Sequence, residues 1–174
     1  MQHPVESRMT TPKQAERLWR RFVAAENRYC AARMDLPAAK SALLGSNADI
    51  TAILRQALST VADRGAALRL LLELDESVRR EVFPILVDVA SVGHRDIQLV
   101  RDVILSIDRE WVLEHIPVYV SEILERSTEY EEYRRLAELL DMIHSPYLAA
   151  LVEKAGQSND IDILEVAEDY GDRA

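Results

Sequence analysis

Between Ile50 and Tyr170, apolar residues return every three or four positions, and each run ends at a short polar, Gly- or Pro-containing break. That spacing lines one face of an α-helix, which turns once in about 3.6 residues. Ile50, Ile53/Leu54, Ala57/Leu58 and Val61 form the first run, with Asn47 or Asp49 placed to cap it. After the break Asp63-Arg64-Gly65 come Ala66/Ala67, Leu70/Leu71 and Leu74, so 47–74 reads as a helix pair. Asp75 caps a run of Val78, Val82, Ile85/Leu86 and Val89, with Pro84 inside it, where the hydrogen-bond ladder is expected to kink or be interrupted. Asp96 caps the partner helix (Ile97, Val100, Ile104, Ile107), giving a second pair over 75–107. Asp108 opens the third, with Trp111/Val112, Ile116, Tyr119/Val120 and Ile123/Leu124. A turn at Ser127-Thr128 follows, then Tyr130, Tyr133, Leu136/Ala137, Leu140 and Ile143. Ser145-Pro146 begins a fourth pair, which ends on Ile163, Val166/Ala167 and Tyr170. No segment alternates apolar and polar residues over the length of a strand, so the expected class is all-α.

Ahead of these pairs, Thr10-Thr11-Pro12 reads as a helix start, a capping hydroxyl followed by Pro in the first turn. The helix is expected to run to about Met34, with Leu18, Phe22, Ala25, Tyr29 and Ala32 on one face. Asp35-Leu36-Pro37 should stop it, because the residue before Pro avoids the helical region. A short helix from Pro37 to about Leu44 then closes at Gly45-Ser46. Residues 1–9 read as a disordered lead-in, with Met9 an alternative start. The rest, 10–174, reads as one domain: capping helices over 10–46 and helix pairs over 47–172.

Two of the runs resemble each other. Asp75, Val78, Phe83-Pro84 and Val87 recur as Asp108, Trp111, Ile116-Pro117 and Val120, an offset of 33 residues. A period of this size is the mark of a stacked helical array, because a single helix pair has one apolar side and cannot bury it alone. Phe83-Pro84-Ile85-Leu86 and Ile116-Pro117-Val118-Tyr119 place a Pro midway along the first helix of each pair. Asp96-Ile97-Gln98-Leu99-Val100-Arg101 opens a second helix with Asp and carries a Val-Arg pair. On these residues the chain resembles HEAT-like (armadillo-type) repeats over 75–143, and more loosely over the rest of 47–172. The resemblance implies a right-handed α-α superhelix, a solenoid of about four helical hairpins with an extra N-terminal helix, and a protein-binding function.

Charge adds an asymmetry. Residues 1–40 hold 8 Lys+Arg and 4 Asp+Glu, whereas 41–174 hold 13 and 26. An acidic body repels nucleic-acid phosphates and favours basic partners. Arg outnumbers Lys 18 to 3, as a GC-rich bacterial genome would produce. Cys30 is the single cysteine, so no internal disulfide forms, and a reducing cytoplasm is the expected location. The first residues lack the apolar core of a signal peptide, and no window approaches the ~20 apolar residues of a membrane span.

Candidate chemistry is sparse. There is no Gly-rich phosphate loop, no Gly-x-Ser-x-Gly and no His-Glu-x-x-His. No catalytic residue, metal ligand or cofactor is assigned. Asp141 and His144 stand one turn apart, but His144 reads as a helix terminus, where a cation offsets the dipole. Cys30 lies between Arg28 and Arg33, and no partner histidine can be placed. The Arg-rich helix with Trp19, Phe22 and Tyr29 reads as a cap for the acidic body, or as a binder of RNA or an anionic membrane. Tyr119, Tyr130 and Tyr133 lie among Glu114, Glu122 and Glu125, and this group is the candidate binding face for a basic protein. The opposing reading is that these rings fill the core between repeats. The expected function is a non-enzymatic scaffold or adaptor. The alternatives are an immunity or inhibitor protein against a basic toxin, and a HEAT-like protein acting on nucleic acid, which the body's charge disfavours.

Overall fold

The computed structural model describes residues 12–127 and 129–174. The expected lead-in, the Thr10-Thr11 cap and Thr128 of the expected turn lie outside the described residues. Every regular element among the described residues is helical, as the spacing of apolar positions requires. The chain divides into two compact units, Met1–Ala48 and Asp49–Ala174.

The described part of the first unit is built on one helix, α1 (Pro12–Leu44), which runs through Pro37. The expected stop at Asp35-Leu36-Pro37 does not occur. Proline removes only one backbone hydrogen bond, and the residues around it are exposed, so water can satisfy the carbonyl that is released. Leu18, Trp19, Phe22 and Tyr29 are each more than half exposed.

The second unit contains α2 (Ile50–Ser59), α3 (Arg64–Leu71), α4 (Glu76–Glu81), α5 (Phe83–Ala90) and α6 (Ile97–Leu105). It continues with α7 (Arg109–Arg126), α8 (Tyr130–Met142), α9 (Leu148–Gly156), α10 (Ile161–Tyr170) and a 3-10 turn at Gly171–Arg173. Helices α2 and α3, α5 and α6, α7 and α8, and α9 and α10 pack as pairs. Between pairs, α2 lies on α5, α3 on α6 and α5 on α7, while α8 touches both α9 and α10. One continuous core results, with Leu58, Phe83, Ile104, Ile116, Leu136 and Leu151 almost wholly enclosed. Each such side chain contributes roughly 1.5–3 kcal/mol relative to exposure.

The capping aspartates divide into two groups. Asp49 accepts from the Ala52 N–H at 2.9 Å, and Asp108 accepts from the Trp111 N–H at 2.9 Å, as expected. Asp75 and Asp96 stand at helix starts but make no side-chain cap bond. At α6 the Asp96 N–H instead donates to His94 Nδ1 at 3.1 Å.

The two matched prolines also differ. Pro117 lies inside the unbroken α7. At Pro84 the expected single helix over 75–89 is broken: α4 ends at Glu81, and Val82 (φ −100°, ψ 2°) separates it from α5. Pro84 then occupies the first turn of α5, where its missing N–H has no intrahelical partner to lose. The Val82 carbonyl accepts from the Ile85 and Leu86 N–H groups and starts the new helix.

Candidate functional site

Helix α7 separates its residues by face. Val112, Ile116, Val120, Ile123 and Leu124 are buried. Glu114, Val118, Glu122 and Glu125 follow at helical spacing on the outward side and are exposed. Val118, at 57% exposure, is the apolar centre of this acidic stripe. Among the described residues, Glu114, Glu122 and Glu125 have no hydrogen-bond or ion-pair partner.

The tyrosines are placed differently. Tyr119 is half-buried, with its ring meeting Phe83 edge-on at 5.7 Å. Tyr130 is half-buried against the core. Tyr133 is 6% exposed, and its burial pushes the phenol pKa up. The Tyr147 hydroxyl shares a hydrogen bond with the Ser121 hydroxyl. The rings therefore serve the packing between helices. The structure brings Glu114, Glu122 and Glu125 onto one open face, places Tyr119 and Tyr130 at half burial, and encloses Tyr133.

The cations of this unit explain why those carboxylates are left over. Many of them satisfy carbonyls at helix ends, which have no intrahelical partner. Arg64 Nε donates to the Leu58 carbonyl at 2.8 Å, and Arg55 donates to Glu81 at 3.1 Å. Arg79 spans three carbonyls, those of Leu71, Leu74 and Ser106. Lys154 donates to Leu124 at 3.0 Å, and Arg109 donates to His144 at 3.3 Å. Six others are held in ion pairs: Arg80–Glu76, Arg126–Asp88, Arg134–Asp169, Arg173–Asp141, and Arg101 and Arg135 with Glu138. Arg95 reaches both Asp96 and the Val61 carbonyl.

A groove of about 590 Å³ opens between the ends of α2, α5 and α7 and the start of α8. The Arg126–Asp88 pair and Glu132 line it, and the Ser127 hydroxyl donates to Glu132. Partial burial pushes the Glu132 carboxyl above the ordinary carboxylate range. Arg126 opposes that shift, while Asp88, Glu129 and Glu131 reinforce it. The pattern of apolar positions could not anticipate this cluster, because Asp88 and Arg126 are 38 residues apart and meet only through the packing of α5 on α7.

Other candidates resolve locally. His144 ends α8, and Asp141 pairs with Arg173 at 3.0 Å. Among the described residues, no group of three or more His, Cys, Asp or Glu could hold a metal ion. Cys30 is exposed on α1, with its Sγ 3.9 Å from Glu26 Oε1. Among the described residues no helix is long and apolar enough to cross a membrane. Compared with known proteins, the chain matches no family model, and neither the curated proteins nor the solved structures contain a significant match.

Proposed function

We propose that the second unit is a helical-repeat scaffold that binds a basic protein on the outward face of α7. The observation that carries this reading is the division of charge. The Arg and Lys side chains named above are bound to helix-end carbonyls or to carboxylates, while Glu114, Glu122 and Glu125 remain open around the exposed Val118. An open carboxylate gains more from an incoming cation than one already paired, and a central apolar contact supplies desolvated area. The in-line packing of α2 on α5 and of α3 on α6 supports a solenoid arrangement of HEAT-like type. Association driven by such a face is steep in ionic strength.

The test is affinity capture from the native host at low and high salt. The bait is the whole chain, compared with the variant Glu114→Gln/Glu122→Gln/Glu125→Gln. A basic protein retained at low salt, released at high salt and lost with the variant is the expected result. If no protein is retained at either salt, the reading fails.

A further inference from the structure

Helix α1 carries a pattern that the paired helices lack. From Ala15 to Leu43 its apolar residues alternate three and four apart, the heptad spacing of a coiled-coil seam. Between Leu18 and Leu43, the large positions are Phe22, Tyr29 and Leu36, and the small ones are Ala25, Ala32 and Ala39. All six are exposed, the large three at 56%, 60% and 66%. A helix of this length extends about 50 Å.

We infer that α1 pairs along this seam, antiparallel, with the α1 of a second copy of the chain. Side-chain size sets the direction. With Tyr29 facing Ala32 of the second copy, Phe22 faces Ala39 and Leu36 faces Ala25. Each of these layers then holds one large and one small residue, which keeps the axes evenly spaced along the central seam, while Leu18 meets Leu43 in the outer layers. A parallel pair would set Phe22 on Phe22 and Tyr29 on Tyr29, with alanine-only layers between them.

Charge agrees with that register. Flanking positions on antiparallel helices face their own kind, so Arg28 lies beside Asp35 of the second copy, and Glu26 lies beside Arg33. A parallel pair would bring Arg28 against Arg33. Among the described residues, Arg28 and Asp35 have no hydrogen-bond or ion-pair partner. Arg20 is bound to Glu16 at 2.6 Å, away from the seam. Pro37 also falls on the outer side of the heptad, so its ring does not enter the seam. A second α1 supplies cations to Glu26 and Asp35, which an anionic lipid surface or a nucleic-acid backbone cannot do.

Sedimentation equilibrium of the full chain over a micromolar concentration series tests this. The expected mass is that of two chains, falling to one chain in Phe22→Glu/Tyr29→Glu. Arg28→Asp should raise the dissociation constant about tenfold by placing like charges together. Adding Asp35→Arg to that variant should restore it. A one-chain mass throughout overturns the inference, as does a dimer that survives Phe22→Glu/Tyr29→Glu. A dimer tightened by Arg28→Asp also overturns it, since that is the behaviour of a parallel pair.

Discussion

Phe83 meets Trp111 edge-on, with ring centroids 5.1 Å apart and planes at 77°. Phe83 belongs to the segment that opens at Asp75, and Trp111 to the matching segment that opens at Asp108. The resembling segments are therefore joined at their own large apolar positions. Tyr119 also meets the Phe83 ring edge-on, and Arg80 lies 4.9 Å over the Trp111 ring, which also stacks on His115. Phe83 is fully enclosed. Phe83→Ala should cost about 3–5 kcal/mol of stability through the cavity left between α5 and α7. Phe83→Leu, closer in volume, should cost under about 1.5 kcal/mol. Urea unfolding followed by tryptophan emission reads both, and equal losses in the two variants would refute the packing role.

Arg101 on α6 holds Glu138 on α8, and Arg135 donates to the same carboxylate at 3.0 Å. Burial alone would raise the Glu138 pKa, but the two guanidiniums outweigh it and hold the carboxyl below its ordinary value of 4.5. A carboxyl depressed in the folded state stabilises the fold above its unfolded pKa and loses that contribution as pH falls through the folded one. Glu138→Gln should therefore cost about 1.5–3 kcal/mol at neutral pH, the range for a hydrogen bond to a charged group. The difference should vanish as pH drops below the ordinary carboxylate range. Chemical denaturation across that range measures it, and a cost independent of pH would remove the ionic explanation.

Glu132 carries the opposite sign. Its carboxyl is pushed above the ordinary value by burial and by Asp88, Glu129 and Glu131, against Arg126. The folded protein then binds this proton more tightly than the unfolded chain, and stability falls as pH rises through the folded pKa. Glu132→Gln should raise the melting temperature at neutral pH and leave it unchanged near pH ~3, where the native carboxyl is protonated. A variant that melts lower at neutral pH would show that the Ser127 contact outweighs the burial.

The helix pairs were legible because burial follows the apolar spacing: Leu54, Leu58, Val100, Ile104, Val112, Ile116, Leu136 and Leu140 all lie in the core. Pro84 and Pro117 show where that logic stops. They occupy matching positions in sequence, yet one starts a new helix and the other lies within a continuous one. Spacing of apolar positions does not encode which of these two outcomes a proline takes. The tyrosines of the candidate face illustrate a second limit. Sequence leaves open whether Tyr119, Tyr130 and Tyr133 meet a partner or fill the core, and only packing decides it, for the core at Tyr133. The partners of Arg79 were hidden for a third reason. They are carbonyls of Leu71, Leu74 and Ser106, and backbone acceptors carry no residue signature.

His144 closes α8 in the left-handed region, with φ at 51°. The Ser145 N–H returns to the Leu140 carbonyl at 2.9 Å, and the His144 N–H returns to Asp141 at 3.0 Å. This is the Schellman arrangement, in which glycine is the usual occupant because a Cβ is strained there. Asp141 is taken by Arg173, and the bond from Arg109 uses the His144 backbone carbonyl, so among the described residues the imidazole makes no bond that glycine would forfeit. His144→Gly should therefore stabilise the chain by about 1 kcal/mol, the strain relieved less the added freedom of the unfolded chain. His144→Ala keeps the Cβ and should give no gain. Denaturant midpoints of the two variants, compared at one pH, decide it: a gain confined to glycine supports the backbone-strain account, and a loss in both assigns the imidazole a packing role.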